Sequence, residues 1–62
     1  MNVYYVEIMS NSYKWEPKIE FSAADDRAAF AQACEIATKR PGCIAFSVSH
    51  LVGKKTVYIA GV

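Results

Sequence analysis

The chain is poor in the residues that most often carry chemistry. In 62 residues it has one histidine, His50, and two cysteines, Cys34 and Cys43. Two cysteines do not make a disulfide framework. No Cys-x-x-Cys pair begins a zinc site, which needs three or four ligands; Cys34, Cys43 and His50 would supply three at most. A Cys34–Cys43 disulfide is conceivable, but two small thiols suit a reducing compartment better. The three glycines are dispersed, so no glycine-rich loop cradles a phosphate. A nucleophile needs a base within hydrogen-bond reach, and His50, at a strand end beside a turn, meets a cysteine only by accident of folding. Asp25-Asp26 reads as the start of a helix rather than an acid–base pair. We expect no enzyme, no metal and no cofactor.

An excess of one charge is missing as well. Seven Lys and Arg against six Asp and Glu leave a net charge of +1, too balanced to indicate nucleic-acid binding from bulk charge. No uninterrupted apolar run approaches the ~18–20 residues that span a bilayer, and no basic stretch followed by an apolar run marks a signal peptide. The expectation is a soluble, reduced, cytoplasmic protein with no membrane contact. Its length and its start at Met1 suggest one whole small gene product, a single domain over 1–62.

What is present suits a globular fold: 53% hydrophobic and 21% charged residues. Such a short chain buries only about 60% of the surface its unfolded form exposes, so its core is small. Val3 to Met9 is β-branched and aromatic, hence a strand, with Tyr4, Val6 and Ile8 inward and Val3, Tyr5, Glu7 and Met9 outward. Ser10-Asn11-Ser12 is a turn cluster. Tyr13 to Glu16 precede Pro17, which breaks or edges a strand. Lys18 to Phe21 resumes it, with Ile19 and Phe21 inward.

The Ala-rich stretch Ser22–Gly42 is the one segment that reads as a multi-turn helix. Ser22 is the expected N-cap, with Asp25 imitating a capping box. Ala29, Phe30, Ala33, Ile36 and Ala37 fall on one side, with Cys34 at the edge. Glu35 and Lys39 form an i,i+4 pair on the other. Pro41 stops the helix and Gly42 fits its C-terminal cap. Cys43 to Ser49 alternates, with Ile44, Phe46 and Val48 inward. Gly53-Lys54 reads as a turn. Thr56 to Ala60 is the last strand, with Val57 and Ile59 inward. The expected fold class is α+β: ββαββ, a single helix packed on one face of a four-stranded antiparallel sheet, with the strand order left open.

Candidate contact residues follow from that layout. The uncovered sheet face would show Tyr5, Glu7, Met9, Lys18, Glu20, Ala45, Ser47, Tyr58 and Ala60. Tyrosines there suit stacked bases or protein anchors, and the mixed charges favour a protein. The basic residues fall in turns: Lys14 and Lys18 around Trp15, Lys39 and Arg40 at the helix end, Lys54 and Lys55 in the last hairpin. Loops sharing an edge could meet phosphates; otherwise they are solvated lysines. Trp15 is either a lid on the core or an exposed anchor.

Gln32-Ala33-Cys34-Glu35-Ile36-Ala37-Thr38-Lys39, followed shortly by Cys43, and Ile19-Glu20 just ahead of the helix resemble small phage-encoded anti-CRISPR proteins of the type I-F class. These have about this length and a strand–strand–helix–strand–strand order. The resemblance implies a non-enzymatic inhibitor, acting in the cytoplasm of the bacterial host, that binds a CRISPR surveillance complex along its backbone subunits and blocks hybridisation of target DNA to the guide. Basic helix residues contribute to that binding. Gln32 and Lys39 match, whereas Cys34 and Glu35 stand where the mid-helix basic pair would be. The opening hairpin and helix also resemble antitoxin domains of the HicB sort, without their glycine- and proline-rich signature. The expected partner is therefore a protein or ribonucleoprotein of the host, met by Tyr5, Lys14, Trp15, Gln32, Lys39, Arg40, Lys54, Lys55 and Tyr58. The alternatives are a small nucleic-acid-binding or antitoxin-like module on the same basic loops, or a homodimer.

Overall fold

A computed structural model describes residues 2–61. They run β1 (Asn2–Ser10), β2 (Ile19–Ala23), α1 (Asp26–Thr38), β3 (Cys43–Val52) and β4 (Lys55–Gly61). The helix covers one face of a four-stranded antiparallel sheet, the ββαββ arrangement expected. The strand order is β2-β1-β3-β4. Each hairpin stays intact, and the first strand of each meets the other at the centre of the sheet.

β1 obeys its alternation. Tyr4, Val6 and Ile8 are buried, and the register sets Phe21 beside Tyr4, Ile19 and Val48 beside Val6, and Phe46 beside Ile8. Burying a Val or Ile side chain stabilises by roughly 1.5–3 kcal/mol. From the helix, Ala29, Ala33 and Ala37 are buried, while Phe30 and Ile36 pack around the core at its margin. Three small residues on one stripe let the helix lie close to the sheet.

The helix starts later than its sequence suggests. The N-cap is Asp25, not Ser22; its carboxylate accepts from the Ala28 N–H at 2.8 Å. Ser22 belongs to β2 and pairs with Val3, and the ladder continues to Ala23 opposite Asn2. Sheet pairing holds those two residues extended, so the next carboxylate along takes over the cap. At the other end the C-cap is Lys39. Among the described residues Arg40 and Glu16 form an ion pair, whereas the expected Glu35–Lys39 pair does not form. Gly42 sits in the following turn with φ +74°, where an L side chain is strained.

Alternation fails where the ladder slips. Met9 pairs with Ala45 and Ser10 with Cys43, leaving Ile44 as an extra residue. Two residues opposite one reverse the facing of everything beyond the bulge. Cys43, expected outward, therefore packs against the core. Ile44, expected inward, is 47% exposed. A second slip pairs Val48 with Ala60 but Ser49 with Tyr58, leaving Ile59 over. Ile59 packs by Tyr4, Ala23 and Ala29 as expected, whereas Ala60 sits opposite buried Val48 on the helix side. Val57, expected in the core, is 49% exposed on the outermost strand. β3 also continues past Ser49 through Val52, and Gly53-Lys54 makes the two-residue turn expected, with φ +61° at Gly53.

Candidate functional site

The sheet face away from the helix is built in rows. One row crosses all four strands as Glu20, Tyr5, Ser49 and Tyr58. Neighbouring strands lie about 4.8 Å apart, so Tyr5 and Tyr58 stand about 10 Å apart on either side of Ser49. Ser49 is buried between them, while Tyr58 is 65% exposed. The Lys18 ammonium lies over the Tyr5 ring, 5.5 Å from its centre. The next row holds Glu7, Ser47 and Gly61. A Cβ on Gly61 would lie 2.8 Å from the Tyr58 hydroxyl and 2.9 Å from the Phe46 carbonyl. The missing side chain is what lets the tyrosine settle there.

Trp15 joins the same face. Tyr13 turns the chain with φ +62°, and its N–H donates to the Ser10 carbonyl at 2.9 Å. Trp15 then makes an isolated antiparallel bridge with Met9, and the Glu16 N–H donates to the Ile8 carbonyl at 2.8 Å. Bridge partners share a face, so Trp15 stands beside Met9, across it from Ala45, half-exposed, and is not a lid over the core. The uncovered face thus gathers Tyr5, Tyr58, Trp15 and Met9, with Glu7, Glu20 and Lys18 among them.

The basic loops divide between two ends. Lys14 adjoins Trp15, and Arg40 donates to Glu16 at 3.0 Å, so Lys14, Lys39 and Arg40 belong to the end where β3 begins. Lys54 and Lys55 lie at its far end. β3 is ten residues long, which at 3.3 Å each separates the groups by about 30 Å. They share no edge. On the helix, Glu35 and Lys39 are exposed and Gln32 is half-buried.

The fold also assembles a cluster that the sequence reading missed. Tyr4, fully buried, donates its hydroxyl to Asp26 Oδ1 at 2.7 Å. His50 Nδ1 lies 3.7 Å from the same oxygen. Burial first, and the Asp26 carboxylate second, hold the Tyr4 phenol above its ordinary value of 10.0. The signal was available: Phe46, Val48 and His50 continue one alternation, which places His50 on the helix side opposite Tyr4. This cluster fastens the start of the helix to the sheet. It leaves His50 seven residues along the strand from Cys43, about 23 Å, too far for one metal ion. Among the described residues no group of three or more His, Cys, Asp or Glu could hold one. Cys34 and Cys43 are free, half-buried thiols. No helix among those residues is long and apolar enough to cross a membrane.

A cleft of about 300 Å³ opens between the end of the helix and the start of β3, lined by Ala37, Thr38, Arg40, Cys43, Ile44 and Phe46 among others. Compared with protein-family models, with curated proteins and with solved structures, the chain matches none.

Proposed function

We propose that this chain is a non-enzymatic inhibitor encoded by a phage, which binds a bacterial CRISPR surveillance complex and blocks its recognition of target DNA. The observation that carries a binding role is the uncovered sheet face, which presents Tyr5, Tyr58, Trp15 and Met9. Tyrosine and tryptophan are the commonest anchors of protein interfaces, since each brings a large rigid area at small conformational cost. Glu7 and Glu20 on the same face suit a protein surface better than a polyphosphate. The choice of target rests on the resemblance of the helix to type I-F anti-CRISPR proteins, of which Gln32 and Lys39 are the matching residues. Lys14, Lys39 and Arg40 add positive charge at one end of the molecule, and Lys54 and Lys55 at the other, so a partner reaching both spans about 30 Å.

The test is co-expression of the tagged chain with purified-grade surveillance complexes of the common CRISPR types, followed by nuclease treatment and pull-down. A complex should co-purify with the natural chain and not with a Trp15→Ala/Tyr58→Ala variant. Both residues are exposed, so circular dichroism should find that variant folded. Failure to retain any complex defeats the reading.

One contact favours a second reading. Lys18 over Tyr5 offers a base both a ring and a cation. In that case single-stranded nucleic acid binds directly, with an affinity falling steeply as salt rises. Association that survives nuclease and is insensitive to salt decides against it.

A further inference from the structure

The uncovered face has a low middle and raised sides. At its centre β3 turns two small residues outward, Ser47 and Ser49. β1 sets Glu7 and Tyr5 beside them, and β4 sets Tyr58 on the far side of Ser49. The two flanking strands are two strand spacings apart, about 10 Å. Tyr58 leans along β4, so that its hydroxyl reaches Gly61, across from Ser47. The result is a slot floored by two serines. Tyr5 and Glu7 wall it on one side and the Tyr58 ring on the other. It lies over β3, an inner strand with β1 and β4 paired on either side.

Two polar groups in the slot lack a partner. Ser49 is only 8% exposed, yet its hydroxyl makes no hydrogen bond among the described residues. No side-chain oxygen among them is both sealed from solvent and unpaired, so the Ser49 oxygen opens into the slot. Glu7 is half-buried and forms no ion pair among the described residues. Lys18, one residue beyond the Val6–Ile19 pair, lies over the Tyr5 ring instead. Withdrawing a carboxylate from water costs free energy unless a cation or donors face it.

We propose that the slot takes an arginine side chain of the partner protein. The guanidinium meets the Glu7 carboxylate, lies against the Tyr58 ring and donates to Ser49. Arginine suits this better than lysine, because it is planar, stacks on aromatic faces and has five donors in a fork that a carboxylate and a hydroxyl can share. Tyrosine and arginine are also both enriched among the anchors of protein interfaces. The phosphates of a nucleic acid would be repelled by Glu7. A second copy is a poorer source of the arginine. The chain has two, Arg27 and Arg40. Arg40 is engaged by Glu16. Arg27 is on the helix, across the sheet from the slot, so a two-fold pairing of uncovered faces cannot deliver it. The inference rests on reading this face as the partner-binding surface and adds the chemistry of the group it receives. It does not depend on which host complex is bound.

The test is selection of peptides by the whole chain from a random heptapeptide library displayed on phage. Enriched peptides should share an arginine. A synthetic copy should bind at least tenfold more weakly when that arginine is replaced by alanine, and more weakly when it is replaced by lysine. The copy should also bind at least tenfold more weakly to Glu7→Gln and to Tyr58→Ala. It should bind undiminished to Glu20→Gln, which removes the other acid of the face. Glu7→Gln keeps the shape of the side chain and Tyr58 is exposed, so circular dichroism should find both variants folded. No enrichment, a lysine copy that binds equally, or binding indifferent to Glu7→Gln overturns the proposal. So does sedimentation of the chain as a dimer that Glu7→Gln dissolves, since the occupant would then be a second copy. The two readings fail separately. Peptides without arginine that still need Tyr58 overturn the slot and leave the face a docking surface, whereas arginine peptides with no surveillance complex retained defeat only the choice of target.

Discussion

The imidazole of His50 lies nearly parallel to the ring of Tyr4, with 4.3 Å between their centroids and 17° between their planes. The two residues are direct partners across the central pair of strands. Phe21 stacks near Tyr4 from the other side, at 5.9 Å. Tyr4 is thus enclosed by its neighbours in the sheet, and its hydroxyl leaves that enclosure only to reach Asp26.

This enclosure sets the response to alkali. A phenol held above its ordinary value contributes stability that is complete below about pH 10 and is lost as pH rises through the folded-state value. Of the four tyrosines, one should ionise after the others and together with loss of the circular dichroism signal. Tyr4→Phe should stay folded to higher pH. Phenolate absorbance followed alongside circular dichroism checks this; four tyrosines titrating together in an intact fold would refute it.

The position of the cap can be read from two substitutions. Asp25→Ala should cost about 1 kcal/mol, the usual loss for an N-cap carboxylate. Ser22→Ala, on an exposed position of β2, should stay within about 0.5 kcal/mol of the natural chain. Urea unfolding of the pair measures both, and the reverse ranking would return the cap to Ser22.

Ala33 is fully buried where the helix meets the sheet. Ala33→Leu should push the helix off the strands and cost about 1–3 kcal/mol. In a domain of this size each kcal/mol lowers the melting temperature by about 4–8 °C. An unchanged midpoint in a thermal scan would mean that the helix does not lie as close as described.

Nothing lies within 4 Å of a Cβ built on Gly53, yet its φ is +61°. Gly53→Ala should therefore cost only the backbone strain, about 1 kcal/mol. Gly53→Asn should cost less, because asparagine tolerates that conformation. Gly42→Ala should cost more than Gly53→Ala, since its Cβ would also come within 3.3 Å of the Asn11 side chain. Denaturant midpoints of the three variants give the order.

The inward residues of β1, the helix stripe and the Gly53-Lys54 turn were legible because each depends on local period or backbone preference. Cys43 and Ile44 were not. A bulge is set by pairing with β1, a strand more than thirty positions earlier, and no local pattern announces the slip. The Tyr4–Asp26–His50 cluster was hidden for a related reason: it joins three separate elements, and its one local clue was the extra step of alternation that carries β3 to His50. Lys14, Lys18, Lys39, Arg40 and Lys54 do lie between the strands and the helix, whereas Lys55 already begins β4. Their separation to opposite ends follows from strand direction, which becomes visible once the order β2-β1-β3-β4 is known.

That order has a consequence for how quickly the chain reaches its native state. The two hairpins close over short loops, but the seam between β1 and β3 joins residues more than half the chain apart, with Tyr4 against His50. The entropy of closing so long a loop is lost before the seam's contacts can compensate. Docking of the two hairpins, with the helix laid across the seam, is then the slow event, and the hairpins themselves are the early ones.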